Sequence, residues 1–85
     1  MTERQILEEI LRVLETHGLE VRHEGLGGSS GGLCTIHGRA VLFLDDQAPV
    51  EDQLDLCAKA VRKVVDLETC YLKPQVRQAM EDRGG

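Results

Sequence analysis

The sequence predicts an α+β fold with its elements in the order α-β-β-β-α-α. Three observations predict it: an amphipathic helical pattern opens the chain, three short β-prone segments follow, and a second helical pattern leads into a proline-initiated helix. The simplest arrangement is a three-stranded antiparallel sheet with the two long helices on one face and a short C-terminal helix. Because 85 residues leave room for one core, we expect residues 1–85 to form a single domain.

The first element is a helix that we expect to run from Glu3 to His17. Thr2 followed three residues later by Gln5 is a capping-box pattern, which starts helices. Gly18 is expected to end the helix, because glycine readily adopts the left-handed conformation found just past a helix C-terminus. Between these ends one face is predicted to be buried, since apolar residues recur at helical spacing, namely Ile6, Leu7, Ile10, Leu11, Val13 and Leu14.

The next element is a strand from Leu19 to Glu24, in which apolar and charged residues alternate. This alternation is typical of a strand with one buried face. Its charged side predicts an edge position or a solvated face. A stretch rich in glycine and serine follows at 25–32, and its composition favours a flexible connection.

A β-hairpin over residues 31–45 is the segment around which the rest is expected to pack. Two β-prone runs flank His37-Gly38-Arg39, where the backbone can reverse. A type II′ turn with Gly38 at its first central position would pair Leu33 with Leu44. A type I′ turn with His37-Gly38 at its centre would shift the register by one pair. The sequence leaves both turns open.

Both faces of this hairpin are predicted to be apolar. Side chains alternate along a strand, so Cys34, Ile36, Val41 and Phe43 share one face in the first register, and Leu33, Thr35, Leu42 and Leu44 share the other. We expect the two long helices to cover one face only and to leave the second one open. The residues expected on this open face, and therefore in an interface, are Leu33, Thr35, Leu42 and Leu44.

The C-terminal half is predicted to be helical. Pro49 suits a first helical turn, and an apolar face at helical spacing predicts a helix from Val50 to Asp66. The segment 67–73 fits neither period, although Leu67, Tyr71 and Leu72 are expected to be buried. Pro74 is expected to begin the short last helix.

The composition favours a protein of the cytoplasm. The net charge of −5 argues against unassisted nucleic-acid binding, which needs a basic stripe. The sequence has no apolar run long enough to span a bilayer, so no membrane partner is expected. Cys34, Cys57 and Cys70 are an odd number of cysteines without close spacing, which is most simply explained by reduced thiols.

The residues that invite a chemical interpretation are His23, Cys34, His37 and Asp45. Together they contain metal-ligand types, but neither a C-x-x-C nor an H-x-x-x-H spacing preorganises them. A buried Cys34 and a turn-position His37 are the plain alternatives. The glycine-rich stretch has the G-x-x-x-x-G spacing of a phosphate-binding loop, but the lysine that should follow is missing. No catalytic residue and no cofactor are predicted.

Two resemblances extend over larger parts of the chain. One rests on Gly31-Gly32-Leu33-Cys34, Gly38-Arg39, Val41-Leu42-Phe43-Leu44-Asp45, Asp66-Leu67-Glu68, Tyr71-Leu72, Pro74, Val76 and Arg77. In these residues the chain resembles small bacterial proteins of unknown function, which implies no activity. The hairpin, acidic turn and apolar helix are also similar to the core of H-E-x-x-H zinc metallopeptidases, but the matching positions are Ala58, Lys59 and Arg62, so neither the ligands nor the base is present.

The functional expectation is a non-enzymatic domain that forms a homodimer or binds another protein chain through its apolar sheet face. The alternative is a small-molecule- or metal-binding protein, or an enzyme, that uses the glycine-rich stretch with His23, Cys34 and His37. The first hypothesis predicts a functional surface on the sheet, and the second predicts one around the glycine-rich stretch.

Overall fold

The computed structural model of this protein describes residues 1–25 and 31–83. Within these ranges it contains three helices and one three-stranded sheet, so the α+β class is confirmed. The elements are α1 (Glu3–Thr16), β1 (Glu20–Glu24), β2 (Gly31–Ile36), β3 (Arg39–Asp45), α2 (Val50–Val64) and α3 (Pro74–Asp82).

Helix α1 begins with the predicted capping box. The Thr2 hydroxyl accepts a hydrogen bond from the Gln5 amide at 3.1 Å, and the Gln5 side-chain oxygen accepts one from the Thr2 amide at 2.9 Å. The helix ends one residue earlier than predicted, with His17 as its C-cap, and Gly18 follows with a φ of 84°. Leu7, Ile10 and Leu14 make the buried stripe of this helix.

The sheet is mixed, and its strand order is β1-β3-β2. Strand β2 pairs antiparallel with β3, whereas β1 pairs parallel with β3. The prediction of a purely antiparallel sheet is therefore wrong. Strand β3 is the most apolar of the three and takes the central position, while the charged β1 and the glycine-containing β2 take the edges. Of the predicted flexible connection, residues 26–30 lie outside the described residues.

The hairpin between β2 and β3 closes with a type I′ turn. His37 has a φ of 50° and Gly38 a φ of 78°, which is the pair of positive angles that this turn requires. Ile36 is paired with Arg39, and Leu33 with Leu42. Of the two registers left open by the sequence, the structure therefore has the shifted one.

The helices cover the sheet face that was predicted to stay open, so that prediction is wrong. Leu42 and Leu44 are both 0% exposed and belong to the hydrophobic core, and Leu33 is half-buried against it. Thr35 is exposed. The parallel register of β1 gives the reason, because it places Val21 beside Leu42 and so continues this apolar face.

The opposite side of the sheet, here called the outer face, is the one that the helices leave uncovered. Strand β1 contributes only charged residues to it, and these would lose their hydration under a helix. By strand alternation and register, its members are Glu20, Arg22, Glu24, Gly32, Cys34, Ile36, Arg39, Val41 and Phe43.

Helix α2 ends two residues before the predicted Asp66, because Val65 is already extended with φ −117° and ψ 132°. A turn follows, in which the amides of Thr69 and Cys70 donate to the carbonyl oxygen of Asp66. Leu72 is buried as predicted, but its neighbour Tyr71 is 80% exposed. Helix α3 begins at Pro74 as predicted.

No helix in residues 1–25 and 31–83 is long and apolar enough to cross a membrane.

Candidate functional site

Strand β2 forms one edge of the sheet, and its exposed edge is the first part of the candidate site. In a type I′ hairpin the pair that flanks the turn, here Ile36 and Arg39, is a hydrogen-bonded pair. Hydrogen-bonded and non-hydrogen-bonded pairs then alternate along the two strands, so Leu33 and Thr35 belong to non-hydrogen-bonded pairs. The main-chain N–H and C=O groups of Leu33 and Thr35 therefore point away from β3. No hydrogen bond from residues 1–25 or 31–83 engages these groups outside the hairpin, so a further strand could pair with them.

This edge lacks the features that usually protect an edge strand. Strand β2 has the sequence GGLCTI, with no charged residue and no proline. Natural proteins commonly block exposed edges with charges, prolines or bulges, because an unblocked edge pairs with other chains. The composition of β2 therefore leaves its edge able to pair with another strand.

The other edge, β1, is protected. Four of its five residues are ionisable, and two of them, Glu20 and Arg22, form an ion pair on the outer face. The hydrogen bond and the charge of Glu20 raise the pKa of Arg22. A strand that docked against β1 would have to accommodate these charges, so the two edges of the sheet differ in their capacity to pair.

The outer-face side chains of β2 itself are apolar and uneven in size, although the charged Arg39 of β3 is paired with Ile36. Ile36 is 39% exposed, and Cys34 is exposed as well, contrary to the buried thiol considered from the sequence. At Gly32 a Cβ atom would meet nothing within 4 Å. This part of the surface thus has a projecting apolar side chain at one end of β2 and open space at the other.

On the helix side of the same edge lies a groove of about 170 Å³ between β2 and α2. It is lined by apolar side chains and two lysines, namely Leu33, Leu56, Lys59, Ala60 and Lys63. The edge of β2 is therefore bordered by apolar side chains on the outer face and by this groove on the helix side.

A larger cavity of about 230 Å³ lies elsewhere, between the end of α2 and α3. Its lining residues are Arg62, Leu67, Leu72, Arg77, Met80 and Glu81. Arg62 donates a hydrogen bond to the carbonyl oxygen of Met80, so this arginine joins the two helices. The cavity was not predicted from the sequence, because its lining comes from three separate segments and forms no motif.

The predicted ligand residues are not brought together as a set. His23 lies at the end of β1, where its Nδ1 is 3.2 Å from Oδ1 of Asp46, and both side chains are about half exposed. Asp45 is 1% exposed, and its carboxylate accepts a hydrogen bond from the Gln47 amide at 2.9 Å. Asp45 thus stabilises the turn that leads into α2.

Cys34 and His37 lie apart from this pair. Cys34 is in the middle of β2 on the outer face, and His37 is in the turn at the far end of the hairpin. At about 3.3 Å per strand residue, His37 is roughly 20 Å from Asp45. Across residues 1–25 and 31–83, no three histidine, cysteine, aspartate or glutamate side chains are placed to hold a metal ion. The part of the glycine-rich stretch at 26–30 is not among the residues described.

None of the family models, curated proteins or solved structures compared with this chain matches it. Its function is therefore inferred from the surfaces described above.

Proposed function

We propose that this chain is a non-enzymatic association domain of the bacterial cytoplasm, which binds a second copy of itself or another protein through the exposed side of its sheet at β2. The observation that carries the proposal is the unprotected edge of β2. The outward N–H and C=O groups of Leu33 and Thr35 offer main-chain hydrogen bonds to an added strand, which is a common mode of protein recognition.

The surroundings of the edge support the same function. Ile36 and Cys34 supply apolar contact on one side, and the groove beside Leu56 supplies it on the other. The leucines that the sequence analysis assigned to the interface have another role, since Leu42 and Leu44 form the core under the helices. Of that predicted set, Leu33 and Thr35 remain in the proposed surface through their main-chain groups.

The cytoplasmic assignment is supported by the cysteines. Cys57 is 0% exposed in the core, and burial raises its thiol pKa to about 12, so it is held as an unreactive thiol. Cys34 is an exposed thiol, a state that a reducing compartment maintains.

Sedimentation equilibrium over a range of micromolar concentrations tests the proposal. We expect a mass above that of one chain, and we expect Ile36→Lys to shift the association to higher concentration, because it places a charge beside the β2 edge. Gln75→Lys is the matched control, since it adds the same charge at an exposed position of α3. A monomer at every concentration, together with no binding of any other protein, would contradict the proposed function.

A further inference from the structure

We infer that the partner of β2 is β2 of a second copy, paired antiparallel about a twofold axis at Cys34, so that two sheets join into one of six strands. This inference rests on the proposed function and specifies its partner and geometry. A closed twofold dimer is the commonest assembly of a small chain, and it requires one surface to be complementary to itself. Three features around Cys34 have that property.

The first feature is the main chain. An axis at Cys34 places Leu33 opposite Thr35 of the second copy, and Thr35 opposite Leu33 of the second copy. These are the residues whose N–H and C=O groups point outward from the edge. Each of the two pairs therefore exchanges both main-chain hydrogen bonds, and the two Cys34 residues face one another as a non-hydrogen-bonded pair.

The second feature lies on the outer face. Gly32 and Ile36 are each two residues from Cys34, so the same axis places Ile36 opposite Gly32 of the second copy. Ile36 is 39% exposed in the single chain, and the space above Gly32 is open. The projecting side chain of each copy thus fills the open space of the other, and apolar surface leaves water on both sides of the axis.

The third feature lies on the helix side. On α2, the residues four, seven and eleven positions after Asp52 lie on the same side of the helix as Asp52 itself. This stripe consists of Asp52, Leu56, Lys59 and Lys63. The last three border the groove with Leu33, so this side of α2 faces the proposed axis. Two antiparallel copies of the stripe place Asp52 opposite Lys63 and Leu56 opposite the aliphatic part of Lys59.

The same axis therefore serves the strand and the helix. The midpoint of the stripe falls between Cys57 and Ala58. Leu56 and Ala60, which lie close to this midpoint, line the same groove as Leu33, and Leu33 is the residue next to Cys34. An unrelated partner strand would use the main-chain groups equally well. A second copy, unlike an unrelated strand, would in addition pair Ile36 with Gly32 on the outer face and Asp52 with Lys63 on the helix side.

The position of the axis is tested by disulfide formation in a Cys70→Ser variant, in which Cys34 is the only exposed thiol. Diamide takes two electrons and two protons from a pair of thiols, which leaves one disulfide. Because facing non-hydrogen-bonded residues lie within disulfide range, we expect a covalent dimer through Cys34 to form at least about tenfold faster than for a matched exposed cysteine. That control is Arg39→Cys in a Cys34→Ser, Cys70→Ser chain, because Arg39 is exposed on the same face but lies away from the axis.

The strand pairing is tested with Thr35→Pro and Thr35→Ala. Proline removes the outward N–H without removing a hairpin hydrogen bond, whereas alanine keeps that N–H. We expect Thr35→Pro to raise the dimer dissociation constant at least about tenfold and Thr35→Ala to change it by less than about threefold. Far-UV circular dichroism checks that the proline variant is folded.

A charge exchange on α2 keeps the inference testable if the proline variant does not fold. We expect Asp52→Lys and Lys63→Asp each to weaken the dimer about threefold or more at low salt, and the double variant to recover most of the affinity. A dimer in which Cys34 crosslinks no faster than the cysteine at position 39 would overturn this inference and leave the proposed function standing. A chain that stays monomeric, or that associates only with a different protein, would overturn it as well.

Discussion

At the scale of single residues, Gly31 is the position where the backbone demands glycine. Its φ is 105°, and an added Cβ would lie 2.0 Å from the carbonyl oxygen of Phe43, a main-chain atom of the neighbouring strand. The start of β2 therefore approaches β3 more closely than any side chain permits.

We predict that Gly31→Ala lowers the free energy of unfolding by at least about 2 kcal/mol, since a strained dihedral angle alone costs of the order of 1–3 kcal/mol. Gly25→Ala is the matched control, because a Cβ at that position would meet nothing within 4 Å and the residue lies outside the proposed interface. We expect it to be neutral or slightly stabilising. Urea unfolding of the two variants measures the difference, and equal stabilities would contradict the close approach at Gly31.

Cys57 makes stability depend on pH in the alkaline range. Burial raises its pKa from 9.0 to about 12 in the folded chain, so the unfolded chain loses this proton first as the pH rises. Stability is therefore unaffected by this group below pH 9 and falls between pH 9 and pH 12.

We predict that wild type loses about 1 kcal/mol more than Cys57→Ala when unfolding is measured at pH 10 instead of pH 8. The comparison with the variant removes the contributions of tyrosine and lysine, which titrate in the same range. Parallel pH profiles for the two chains would show that the thiol is not buried as described.

At the scale of elements, the turn of the hairpin selects the register of β2 on β3. His37 adopts a left-handed conformation that asparagine tolerates better and that β-branched residues strongly disfavour. We predict that His37→Asn raises stability by a few tenths of a kcal/mol and that His37→Val lowers it by about 1 kcal/mol. Thermal unfolding followed by circular dichroism measures both changes, and a valine variant as stable as wild type would contradict the type I′ turn.

The elements themselves were predictable, because each depends on local signals. The capping box at Thr2, the left-handed Gly18 and the proline at 74 are all in their expected roles. The neighbours of β1 were not predictable from local signals, since sequence-adjacent strands usually pair and here the strand order is β1-β3-β2. The parallel pairing of β1 with β3 also decides which face of the hairpin meets the helices. This one non-local contact therefore accounts for two wrong predictions, the purely antiparallel sheet and the identity of the open face.

At the scale of the whole molecule, Arg83 connects the three helices. From the end of α3 its guanidinium contacts Oδ1 of Asp55 on α2 and Oε2 of Glu3 on α1, each at 3.0 Å. The Arg83 side chain is 22% exposed, whereas each carboxylate is 48% exposed. This residue thus fixes the end of α3 against the first turn of α1 and the N-terminal half of α2.

We predict that Arg83→Gln lowers the free energy of unfolding by about 1 kcal/mol at low salt, and by less at high salt, because the partners are partly exposed and screened. Arg4→Gln is the control, since it removes the same charge from an exposed position of α1. A loss at Arg83 that does not depend on salt would indicate that packing, not charge, holds α3 in place.

The proposed association surface was only partly predictable from the sequence. The apolar residues on both faces of the hairpin led to the expectation of an open face with Leu33, Thr35, Leu42 and Leu44, but Leu42 and Leu44 lie in the core under the helices. The edge itself was missed, because whether a strand is central or peripheral depends on the sheet order. Once β2 is known to be an edge, its lack of charges becomes the informative signal.

Hydrogen exchange of individual main-chain amides, followed by NMR at low and high protein concentration, tests the pairing of β2 most directly. The amides of Cys34 and Ile36 point toward β3 and are expected to be protected at both concentrations. The amides of Leu33 and Thr35 point outward, and we predict that they exchange rapidly in the dilute monomer and become protected as the concentration rises. Rapid exchange of Leu33 and Thr35 at every concentration, with Cys34 and Ile36 still protected, would contradict association through this edge.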